Sequence, residues 1–156
     1  ATPYSTALYV RQLEVAGDLG GAAHEQWLRI INLTNDCTAR LNGELHEAPN
    51  EYVKDLAREF RDGSKDLHAA YAGTLVTFPP EAHEQATQIW NLNERLFDRV
   101  VAPSAGCEDF MERYRLAGAN AWIDEMNTRT LAMVNEFRRQ LGVRVLSWPS
   151  PTREAK

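Results

Sequence analysis

No apolar run in the chain approaches the ~20 residues that a bilayer crossing requires; Leu75-Val76-Thr77-Phe78 is typical of the longest. No membrane span is therefore expected. A concentration of basic residues is also missing. The 17 Lys and Arg are dispersed among 22 Asp and Glu, leaving a net charge of −5. A nucleic-acid partner needs a concentrated basic surface, so that class is excluded. Cysteine is scarce: Cys37 and Cys107 stand alone and far apart, which rules out Cys-x-x-Cys redox and zinc-finger spacings. One disulfide in an exported protein and two buried thiols in a cytosolic one both fit this pair. The polar, turn-like or helix-end surroundings of each Cys favour the disulfide.

Catalytic signatures are absent as well. His24-Glu25, His46-Glu47 and His83-Glu84 each begin like a zinc-protease motif. The second His, four residues on, is replaced by Leu28, Asn50 and Thr87. No Glu-x-x-His occurs, so the three-residue step that puts carboxylate and imidazole on one face of a di-iron bundle helix is missing. There is no Gly-x-Ser-x-Gly elbow, Ser-x-x-Lys pair or phosphate-binding glycine loop. No cofactor or metal is expected. Nor does a strand-like alternation of apolar and polar residues appear before residue 143.

What the chain does have is helical periodicity over an ordinary domain length of 156 residues. Pro3 opens a first short helix expected to stop at Gly17-Asp18-Leu19-Gly20-Gly21. A second spans about 22–47, with a stripe through Trp27, Ile31, Thr34, Thr38 (or Cys37), Leu41 and Leu45. Pro49 ends it, and Asn50 caps a third helix whose stripe is Val53, Leu56, Phe60, Ser64, Leu67, Tyr71, Leu75 and Phe78. Pro79-Pro80 opens a fourth, carrying Ala82, Ala86, Ile89, Trp90, Asn93, Leu96, Phe97 and Val100, closed by Pro103. A short helix over about 105–117 follows. After Gly118 a last helix shows Ile123, Met126, Thr130, Met133, Val134, Phe137 and Leu141, with Gly142 as its C-terminal cap. The expectation is an all-α fold: an up-and-down four-helix bundle with two additional short helices and an extended C-terminal tail. Residues 1–148 form one domain, Trp148 folds back onto it, and 149–156 are disordered.

Two repetitions bear on function. Ala23-His24-Glu25-Gln26 returns as Ala82-His83-Glu84-Gln85, which reads either as a duplicated hairpin or as two helix segments built from common residues. Near its midpoint each long helix also interrupts its apolar stripe: Thr34, Ser64 beside Gly63, Asn93 and Thr130. Midpoints of equal-length helices share one layer of a bundle. The four are expected to face inward at one height, either as a self-satisfied layer that sets register or as polar anchors of a cavity. That cavity would be walled by neighbours such as Ile31, Phe60, Leu67, Trp90, Phe97 and Met133. Thr34, Ser64, Asn93, Thr130 and Trp90 are thus the candidate ligand-binding residues, and Cys37–Cys107 the candidate disulfide.

The function expected from this pattern is non-enzymatic binding of a protein partner or a small apolar ligand. Exposed aromatic surface around Trp122 is the place for a protein partner. The alternatives are an enzyme with a site assembled from separated residues, or a structural homo-oligomer. The disulfide reading and the start at Ala1, as if a leader had been removed, place the chain outside the cytoplasm. A cytoplasmic location after loss of an initiator Met is the alternative.

Overall fold

A computed structural model describes residues 3–44, 49–140 and 142. It is all-helical among these residues: α1 (Pro3–Leu41), α2 (Pro49–Thr77), α3 (His83–Leu96), α4 (Cys107–Ala117) and α5 (Ala119–Gln140). A 3-10 turn (Pro80–Ala82) leads into α3, and a π-helical turn (Phe97–Val101) extends it. No described helix is long and apolar enough to cross a membrane. The expected return of Trp148 onto the domain, the extended segment and the disordered end all lie outside the described residues.

The first two expected helices are one. α1 runs without interruption through Gly17, Gly20 and Gly21. Glycine costs about 1 kcal/mol against alanine in a helix, so the sequence read as a stop. Packing overrides that preference. Val15, Ala16, Leu19 and Ala23 are all buried, and a methyl group at Gly20 would stand 2.9 Å from Val134 Cγ2. Here glycine permits a close approach to α5.

The other elements start and stop close to their expected places. α2 begins at Pro49, a residue suited to a first helical turn. Gly118 (φ 66) ends α4 in the left-handed conformation, and Gly142 (φ 72) adopts it just beyond α5. At the C-terminal end of α2 the buried face passes through Thr74 rather than Leu75, which is 41% exposed. The Thr74 hydroxyl donates to its own helix at Ala70 O (3.1 Å), which makes its burial cheap. The π turn closes with Ala102 N–H donating to Phe97 O (2.8 Å). Its wider circuit is accompanied by two consecutive residues, Val100 and Val101, that are both fully buried.

α1 packs on α2 and α5, and α3 packs on α2 and α5, while α4 lies against α1. α1 and α2 run antiparallel: Gln12 Nε2 donates to Thr77 O (3.2 Å) at one end, and Gln26 meets Ser64 further along. Between the elements lies a core that includes Leu19, Ile30, Phe60, Leu67, Ile89, Leu96, Phe110, Met126, Met133 and Phe137, with Phe78 stacked on Phe137. The Cys37–Cys107 disulfide joins the last third of α1 to the first residue of α4, with Cα atoms 5.0 Å apart. Both cysteines are buried. Closing so long a loop stabilises by about 4 kcal/mol in the chain-entropy description.

Candidate functional site

The structure brings two of the four expected layer residues together and separates the others. Asn93 Nδ2 donates to Ser64 Oγ (2.9 Å), and Ser64 Oγ donates to Phe60 O (2.9 Å). The third member is Gln26, which is fully buried. Its Nε2 lies 2.8 Å from Asn93 Oδ1, 3.0 Å from Phe60 O and 3.1 Å from Ser64 Oγ, so two protons serve three acceptors. Arg29 Nη1, at the half-buried edge, donates to Gln26 Oε1 (2.7 Å). The Ser64 hydroxyl thus has its one donor and both acceptor positions engaged.

Gly63 makes this arrangement possible. A side chain there would collide with Gln26 Oε1 and Arg29 Nη1. The bare backbone of α2 is what admits the Gln26 amide and the Arg29 guanidinium to one place.

Thr34 and Thr130 lie outside the network, and their hydroxyls turn back to their own helices. Thr34 Oγ1 donates to Ile31 O (2.8 Å), and Thr130 Oγ1 to Met126 O (2.6 Å). The cause in α1 is its length. Once residues 3–21 join the helix, its midpoint falls near Ala22, and Gln26 rather than Thr34 comes level with Ser64. The fragment repeated as 82–85 does not repeat this role. Gln85 is half-buried and accepts from Arg129 Nη1 (3.1 Å).

The side chains expected to wall a cavity beside this layer are packed. Phe60, Leu67 and Met133 are fully buried, and Phe60 stacks on Phe97. Trp90 is half-buried among other rings, stacked with Tyr71 at 6.3 Å and tilted against His68 at 5.0 Å. Tyr71 Oη is 2.9 Å from Thr87 Oγ1. Glu94 sits beside the layer. Burial chiefly, then the neighbouring Asp98, holds its carboxyl above the usual range, against the opposing effects of Asn93 and His68. Trp122 is partly buried against the core, with the Arg95 guanidinium 5.4 Å from its ring centroid. The expected aromatic surface is therefore partly buried and flanked by a cation.

Open space occurs elsewhere. A cleft of about 360 Å³ lies between α1 and α5. Leu13, Ala16, Leu131 and Val134 make it apolar, Thr130 lies in its wall, and His24 and Arg138 add polar groups. Gly17, Gly20 and Gly21 form the α1 side. A methyl group at Gly17 or Gly21 would touch nothing within 4 Å, so these two glycines leave the cleft unfilled. His24, beside it, stacks on Trp27 with ring centroids 5.5 Å apart.

A wider groove of about 1040 Å³ runs between α1, α4 and the start of α5 and includes Thr34. Its walls carry Glu108, Asp109, Glu112 and Arg115. Asp109 accepts from Ala105 N–H (2.9 Å) and from Arg113 Nε (3.0 Å). The Ala105 bond first, then Arg113, holds its carboxyl below the usual range.

The described residues contain no cluster of three or more His, Cys, Asp or Glu able to hold a metal. Sequence reasoning missed Gln26 and the glycine-lined cleft. The signal for both was present in the glycines, which read as helix breaks and not as space. No protein-family model, characterised protein or solved structure proves similar to this chain.

Proposed function

We propose that this protein is a non-enzymatic binding protein that takes a small, largely apolar ligand into the cleft between α1 and α5. The observation that carries the reading is the unfilled space over Gly17 and Gly21 in an apolar wall with few polar groups. That combination of size and lining is typical of ligand sites. Arg138 adds a planar guanidinium suited to a carboxylate, so an aliphatic chain with an anionic head is the best complement. The wide groove near α4 suits such a molecule less well, because its wall carries three carboxylates.

In this reading the Gln26–Ser64–Asn93 network fixes the register of the helices and binds nothing. None of those three side chains titrates, which also disfavours acid–base catalysis there. The up-and-down four-helix bundle belongs to the same proposal. α1, α2, α3 and α5 contact one another in a closed ring, the arrangement expected of four packed helices. An extracytoplasmic location is favoured by the disulfide, since reducing compartments rarely keep one.

The test is calorimetric titration with decanoate. Saturable binding is expected for the wild type and its loss in Gly17→Leu/Gly21→Leu, whose side chains fill the cleft while raising helix propensity. Circular dichroism confirms that the variant folds. Undiminished binding in the folded variant, or none in the wild type, overturns the proposal.

A further inference from the structure

We infer that the outer groove between α1 and α2 is a two-fold interface with a second copy of this chain. The groove is formed by different residues of α1 from those of the ligand cleft. Along α1 it is made by Leu8, Arg11, Val15, Asp18 and Ala22, steps of three and four that define one helix face. α2 contributes a floor of small residues, Ala69, Ala70 and Gly73. A methyl group at Gly73 would lie 3.6 Å from both Val15 methyls, so the two helices meet closely beneath the groove.

The two ends of the groove differ in shape and in charge. One end is bulky and cationic. Leu8 is 39% exposed and Val76, on the facing helix, is 88% exposed. Arg11 stands beside them with most of its side chain in solvent and a pairing to Glu14 within its own helix. The other end is small and acidic, with Asp18, Asp66 and Ala22.

A two-fold axis through the groove near Val15 lays each end on its opposite. Antiparallel α1 helices then set Leu8 of one copy over Ala22 of the other, Arg11 over Asp18, and Val15 near Val15. A large side chain meets a small one and each cation meets an anion, twice by symmetry. Such self-complementarity is what an isologous interface requires. It also sets the exposed Leu8 and Val76 against the small end of the partner copy's groove.

Sedimentation velocity across a concentration series tests this without any ligand, so the result is independent of the cleft proposal. The wild type is expected to sediment as a dimer of 17.6 kDa chains. Val76→Asp, Arg11→Asp and Asp18→Arg are each expected to be monomeric. Their positions are exposed, and circular dichroism verifies their folds. Mixing the last two variants should restore a dimer, because the altered charges then oppose one another across the axis. A wild type that is monomeric throughout overturns the inference. So does a dimer that survives all three substitutions, or a mixture of the charge variants that stays monomeric.

Discussion

The Gln26–Ser64–Asn93 core and the α1–α5 cleft are both built around glycine in a helix, with opposite results. At Gly63 the missing side chain is replaced by atoms from α1, the Gln26 amide and the Arg29 guanidinium. At Gly17 and Gly21 it is replaced by nothing. The first glycine lets polar groups close an interior, and the other two leave a surface open. A glycine in a helix thus has no fixed meaning. What decides is whether a neighbouring element reaches into the space.

The largest effect that separates these regions is expected on the polar side. Asn93→Leu removes an acceptor of Gln26 and a donor to Ser64 while leaving both partners buried. It should cost about 3 kcal/mol in urea unfolding. Replacing all three residues together, as Gln26→Leu/Ser64→Ala/Asn93→Leu, should return stability to within about 1 kcal/mol of the wild type. A triple variant as unstable as the single one would mean that the network does more than satisfy itself.

One substitution, glycine to alanine, then discriminates the two regions by sign. Gly63→Ala should destabilise by about 1–2 kcal/mol, since displacing the Gln26 amide outweighs the gain in helix propensity. Gly17→Ala and Gly21→Ala should each stabilise by about 0.5–1 kcal/mol. Gly20→Ala should forfeit that gain, because its methyl group crowds Val134. Denaturation midpoints of the four variants provide the check, and a uniform sign would erase the distinction.

These differences mark where the sequence was legible. Repeats at steps of three and four depend on burial alone, so the helices from Val53 to Phe137 could be read directly, and with them most of their buried positions, Leu75 being the exception. The surroundings of the cysteine pair favoured a bond without deciding between a disulfide and two buried thiols. The Gly17–Gly21 segment was misread because helix propensity is local, whereas Gly20 answers to Val134, more than a hundred residues away. That error moved the apparent midpoint of the helix and placed Thr34 where Gln26 belongs. Ser64 and Asn93 were found because their helices had been bounded correctly.

The smallest expected effect lies beside the closed core. The folded state holds the Glu94 carboxyl above its ordinary value, chiefly by burial, so the native protein binds its proton more tightly than the unfolded chain does. Stability from this group is fully present below the unfolded value and is lost as pH rises through the folded one. The thermal midpoint of Glu94→Gln should therefore gain slightly on that of the wild type as pH rises through the carboxylate range. An unchanged difference across that range would show that burial does not act on this carboxyl.

Nuclear magnetic resonance of the glycine amides during a decanoate titration tests the contrast between open cleft and closed core most directly. The backbone signals of Gly17, Gly20 and Gly21 should shift saturably, while those of Gly63 and the Asn93 side-chain amide stay fixed. Shifts centred on Gly63 and Asn93, with the α1 glycines unmoved, would contradict it.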